Sequence, residues 1–154
     1  MTRFNLRFGV TLVCALLGLA APARAGERPF YAEGEAIRVS SGHTERYFGD
    51  TEVMHFGLAR LVFEARSSAL YPPEEGVDPR VVVTSAFLLA ANGDQLFLDV
   101  DVELDPDTGI AVGTLTFAGG TGRFADAAGT ADVLLLFGDR YRSFDFLIAG
   151  TIDY

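Results

Sequence analysis

The chain has 154 residues, with 12 arginines, no lysine and 21 acids, for a net charge of −9. Scattered arginines on so acidic a chain exclude the basic stripe that nucleic acid or an anionic membrane surface would require. One cysteine, Cys14, excludes an internal disulfide and the Cys/His ligand sets of a zinc site.

Residues 1–7 carry two arginines and no acid, and an apolar run from Phe8 to Ala21 follows. Pro22-Ala23-Arg24-Ala25 then precedes Gly26. This order predicts a secretory signal peptide over residues 1–25, cleaved after Ala25. The apolar run is shorter than the roughly 20 residues of a retained span. Cys14 lies inside the run behind Val13, which argues against a lipoprotein anchor. The expected product, residues 26–154, is one cysteine-free domain in the periplasm or the medium, without stable membrane insertion. Losing three arginines and no acid takes its charge to −12. Its stability must come from a single core and backbone hydrogen bonds.

Phe30 to Val39 reads as a first strand of imperfect alternation, and Ser40-Ser41-Gly42-His43 as a turn. The segment from there to Asp50 reads as a polar loop. Thr51 to Arg66 reads as one long strand whose apolar parity switches near Gly57, which predicts a bulge or bend. Tyr71 to Pro79 holds three prolines and reads as an exposed loop. Arg80 to Ala91 is an apolar strand, and Asn92-Gly93 a tight hairpin turn. The return strand alternates cleanly, with Leu96, Leu98, Val100, Val102 and Leu104 opposite Phe97, Asp99, Asp101 and Glu103. Asp105 to Gly109 is a turn, Ile110 to Phe117 a strand, and 117–129 a glycine-dense corner. Thr130 to Phe137 and Phe144 to Tyr154 complete the set, with a turn at Gly138-Asp139-Arg140.

Seven or eight strands on short turns predict an all-β sandwich or an up-and-down barrel. The last strand is too apolar to stand as an open edge, and closing it onto the first strand favours a barrel. Eight strands enclose an interior that side chains fill or that holds one small ligand.

Gly119-Gly120-Thr121-Gly122-Arg123-Phe124, with small residues on to Gly129, resembles the glycine signature of plant dirigent proteins. It is also similar to that of secreted bacterial proteins of the allene oxide cyclase barrel type. The Asn92-Gly93 hairpin, the Gly150-Thr151-Ile152 ending and His55-Phe56-Gly57 occupy matching places in the order of parts. The resemblance implies a single eight-stranded antiparallel barrel with a central cavity. It further implies cavities that hold reactive, largely apolar substrates, as in dirigent-type radical coupling or ring-forming cyclases. The glycine loop marks the fold in those families and carries no reaction over to this chain.

No nucleophile motif accompanies His43 or His55, so no hydrolase triad is legible. His55, beside the expected bend, is a candidate for the barrel mouth and, with Glu33, for catalysis. Glu35, Arg38 and His55 are candidate ligand-binding residues, because poor alternation on the first strand admits inward polar groups. A carboxylate in an apolar barrel is suited to acid or base work. Asp99, Asp101, Glu103, Asp105 and Asp107 form a flat acidic row, expected to be a solvated face and not a Ca²⁺ loop. No metal or cofactor is implied. Three readings stay open: a barrel binding a small apolar molecule, a cyclase or isomerase acting by conformational steering, and a non-catalytic interaction barrel. A homo-oligomer is compatible with all three.

Overall fold

The computed structural model describes residues 26–40, 44–66, 80–81, 83–105, 107–138 and 141–154. The expected signal peptide (1–25), His43 and the proline loop at 71–79 lie outside the described residues. The strands are β1 (Arg28–Ser40), β2 (Thr44–Val53), β3 (Gly57–Arg66), β4 (Arg80–Val81) and β5 (Val83–Ala90). They continue with β6 (Gln95–Asp105), β7 (Ile110–Gly120), β8 (Ala128–Phe137) and β9 (Ser143–Asp153). The one helical piece among the described residues is a 3₁₀ turn, Gly122–Phe124.

Every pairing is antiparallel. The strands pair in chain order except at β4: β3 pairs with β5, β9 closes on β1, and β4 lies along β6 beyond the stretch that β5 occupies. The result is the expected closed eight-stranded barrel, β4 and β5 together serving as one stave. Closure pairs the apolar last strand on both of its sides, with β8 and with β1.

Alternation decides the two surfaces. Leu96, Leu98, Val102 and Leu104 of β6 are buried inside, and Phe97, Asp99, Asp101 and Glu103 face out. Phe144, Phe146, Ile148 and Ile152 of β9 join the same interior as Leu115, Phe117, Val133 and Leu135. Burial of large aliphatic and aromatic side chains, each contributing about 1.5–3 kcal/mol, holds the barrel closed.

Two expectations need correction. Residues 44–50 are strand and not loop, since β2 pairs with β3 from Thr44↔Arg66 to Val53↔Gly57. The parity switch at Gly57 is a hairpin turn and not a bulge within one strand. Phe56 N–H donates to Val53 O (3.0 Å), while His55 and Gly57 take φ of 69° and 76°. Apolar Met54, Phe56 and Leu58 hid this turn, yet Met54 and Leu58 are exposed there and only Phe56 packs on the barrel.

Candidate functional site

The staves run up and down, so the barrel has two ends built from different residues. At one end β1, β3, β6 and β8 begin, and the 53–57, 90–95 and 120–128 connections cross over it. Phe30, Phe56, Phe117, Phe124 and Tyr154 fill it. Phe30 meets Phe56 and Phe117 at centroid distances of 5.6 and 4.7 Å. Phe124 meets Phe56 and Tyr154 at 4.6 and 5.3 Å. The Arg123 guanidinium lies over Phe124 and Phe56 (4.7 and 5.5 Å), and Arg28 over Tyr154 (4.9 Å). These cations stack on ring faces and shield the plug from water.

The glycine corner exists to bring Phe124 there. Thr121 N–H donates to Gln95 O (2.8 Å), and Gln95 N–H donates back to Thr121 Oγ1 (2.9 Å). Gly122 has φ +55°, and a Cβ on it would collide with the Asp94 carboxylate. Only glycine meets both conditions without strain. The corner is thus a structural clamp between the 92–94 turn and the plug.

At the other end three of the inward residues, Arg38, Glu45 and Tyr47, carry polar groups. Even-numbered residues of β1 and odd-numbered residues of β2 face the interior. The Arg38↔Tyr47 register, with a bulge between Arg38 and Ser40, therefore sets Arg38 beside Glu45 and Tyr47. Arg38 Nη1 lies 3.5 Å from Glu45 Oε1; the Glu45 side chain is 2% exposed and that of Arg38 21%. Tyr47 Oη donates to Tyr141 O at 2.7 Å, and Tyr141 itself has φ +53°. Below them lies an aromatic floor. The Tyr47 ring meets Phe144 at 5.0 Å, Phe63 at 6.1 Å and Phe137 at 6.5 Å.

This arrangement is chemically unusual for a barrel core. Charged groups are almost never fully buried without a partner, because desolvation costs several kcal/mol per ion. A guanidinium, a carboxylate and a phenol over apolar rings can grip one polar group of an otherwise apolar molecule. They are also placed to give or accept a proton.

The sequence candidates scatter. Of those named, only Arg38 belongs to this set. Glu33 and Glu35 share the outward parity of β1 and are exposed, Glu33 accepting a hydrogen bond from Tyr31 Oη at 2.6 Å. Poor alternation on β1 arises instead from outward Ile37 and Val39, which are exposed apolar residues. His55 sits exposed in the β2–β3 turn at the plugged end, remote along β2 from Glu45. Among the described residues no group of three or more His, Cys, Asp or Glu converges as metal ligands would. Asp99, Asp101, Glu103 and Asp105 stand exposed on the outer wall.

Glu45 and Tyr47 were hidden by reading 44–50 as loop. The available signal was parity, since Thr51 and Val53 carried back by twos reach Gly49, Tyr47 and Glu45. No protein-family model matches the chain, and no curated protein matches it significantly. Fold and geometry therefore define the class alone: a closed eight-stranded antiparallel barrel, plugged at one end and polar at the other.

Proposed function

We propose that the barrel is an exported protein that holds a small, mostly apolar molecule at its polar end. Arg38, Glu45 and Tyr47 would fix one polar group of that molecule while the Phe63, Phe137 and Phe144 rings line its apolar body. The carrying observation is the Arg38–Glu45 pair, with Glu45, at 1% exposure, the one charged residue among the buried ones described. Apolar residues of similar volume would serve stability as well or better there, which favours a functional reason for keeping the charges. Support for export is the pattern of residues 1–25 and the absence of cysteine from the rest. Barrel closure on eight staves supports the likeness to allene oxide cyclase and dirigent-type proteins. An apolar interior behind a charged wall is the reverse of a lipid-facing barrel, which favours an aqueous setting.

Native mass spectrometry of the protein purified from its own host tests this reading. The expected result is a retained small molecule that the Arg38→Met/Glu45→Leu variant no longer carries. A bare mass, with no uptake from a panel of lipids and polyketides, would sink it.

One observation favours a second reading, a non-catalytic interaction barrel. Phe117, Phe144 and Phe146 are all buried within the interior, and Phe144 packs directly on Phe146 at 6.3 Å. A core filled this way over its length would leave the outer wall as the working surface.

A further inference from the structure

The outer wall carries an apolar row that the barrel itself does not use. Ile37, Phe48, Val62, Phe87 and Phe97 are direct cross-strand partners from β1 to β6. All five have the outward parity of their strands. Ile37 is 57% exposed and Phe97 38%, while Val62, flanked by two phenylalanines, is only 8% exposed. Because the wall curves, one flat partner reaches the central part of the row, Phe48, Val62 and Phe87.

Two ion pairs bracket that centre on the same two strands. Arg46 Nε meets Glu64 Oε1 at 2.6 Å on one side. On the other, Arg60 binds Asp50 through two hydrogen bonds, 2.7 and 3.2 Å. Along β2 the charges read plus, apolar, minus; along β3 they read minus, apolar, plus. This fourfold pattern is complementary to itself. A two-fold axis in the plane of the contact, along the strands or across them, sets every cation against an acid of the second copy. The surroundings make the patch distinctive. The outer faces of β1 and β6 carry exposed Glu33, Glu35, Asp99, Asp101, Glu103 and Asp105. Two copies meeting through those faces would repel, whereas the β2–β3 patch is neutral overall.

We propose that this patch is the contact surface of a two-fold dimer, its occupant a second copy of the chain. Isologous contact of a self-complementary face is the commonest way for identical chains to pair. The apolar centre with a charged rim has the anatomy of such interfaces. So narrow a patch implies a weak dimer, with dissociation in the micromolar range. Pairing here is independent of a loaded lumen, since no residue of the row faces the interior.

Sedimentation velocity across a concentration series, from about 1 to 100 µM, reads the equilibrium. A reversible monomer–dimer exchange is expected. Phe48→Thr/Val62→Thr, which keeps strand-forming residues, and Arg60→Glu should each weaken it at least about tenfold while the melting transition stays cooperative. Exchanging all four charges (Arg46→Glu, Glu64→Arg, Asp50→Arg and Arg60→Asp) rebuilds the pattern in mirror form and should restore pairing. A monomer at every concentration overturns the proposal. So does a ladder of species beyond the dimer, which would signal head-to-tail contact of the β3 arginines with the acidic β6 wall. A dimer indifferent to these substitutions would overturn it equally.

Discussion

The two ends of the barrel solve the same problem in opposite ways. The end capped by the glycine corner is filled by rings, Phe30, Phe56, Phe117, Phe124 and Tyr154 forming a chain of contacts with Arg28 and Arg123 placed over them. The opposite end draws a carboxylate and a guanidinium into the interior and ties a buried tyrosine to the Tyr141 carbonyl. The first end closes with its charges outside, over the ring plug, and none drawn into the interior. The second end differs in holding a buried charge, and that difference is what singles it out as the candidate site.

The comparison breaks most sharply at Phe124. The side chain is wholly buried and sits at the centre of the plug. Phe124→Ala should cost about 3–5 kcal/mol, from lost burial and the cavity left behind. Chemical denaturation measures this directly, and a ligand retained at the polar end should survive in whatever fraction remains folded. A loss below about 1 kcal/mol would mean that the plug does not hold that end shut.

Next in size is the polar end. Arg38→Met leaves the buried Glu45 side chain without the guanidinium 3.5 Å from it. Removing one partner of a buried pair costs about 3–5 kcal/mol, less here because Arg38 reaches solvent, so about 2 kcal/mol is expected. The Arg38→Met/Glu45→Leu double variant should recover that loss or exceed wild-type stability. Equal stability with ligand lost would separate function from folding at this end. A double variant as unstable as Arg38→Met would make the pair a structural requirement instead.

Legibility in the sequence followed the same division. The closed barrel, the β6 alternation and the role of the corner were all readable, because turns at Asn92-Gly93 and the glycine loop punctuate strands with strict period two. The plugged end was partly readable, since the corner advertises itself through glycine. The polar end was not. Glu45, Tyr47 and Thr51 are inward residues that carry polar atoms, so β2 imitates a solvated loop to any reading based on hydrophobicity. Outward Ile37 and Val39 blurred β1 in the complementary way, and drew suspicion to Glu33 and Glu35. Polar groups placed inside, and apolar groups placed outside, are the features that defeat a binary pattern.

The corner offers a smaller test. Gly122→Ala must either accept φ +55° with a Cβ against Asp94 or release the clamp on the 92–94 turn. A cost of about 1–3 kcal/mol is expected, below that of Phe124→Ala. Gly93→Ala is the control, because its φ of +90° is also strained but nothing stands within contact of an added Cβ. A smaller loss at Gly93 would assign the difference to the Asp94 clash.

The smallest effect lies just outside the polar end, where Asp145 of β9 is the register partner of Glu35 on β1. Partial burial, and then the charge of Glu35, raise the Asp145 carboxyl above its ordinary value of 3.8. In the interval between the unfolded and the raised folded value, the folded chain holds a proton that the unfolded chain has released. Stability therefore falls as pH rises through that interval, and the contribution is gone above the folded value. Asp145→Asn should stabilise the fold at neutral pH, by less than about 1 kcal/mol for a group only partly buried, read as a higher melting temperature, and the gain should vanish below the unfolded value. Asp50 gives the opposite sign. Its hydrogen bonds and ion pair with Arg60 hold its carboxyl below the usual range. Its stabilisation is present at neutral pH and lost on acidification, so Asp50→Asn should lower the neutral melting point and have no effect in acid. Thermal melts of both variants at neutral and acid pH check the pair, and matching signs would show that these two charges of the outer wall do not act as their contacts indicate.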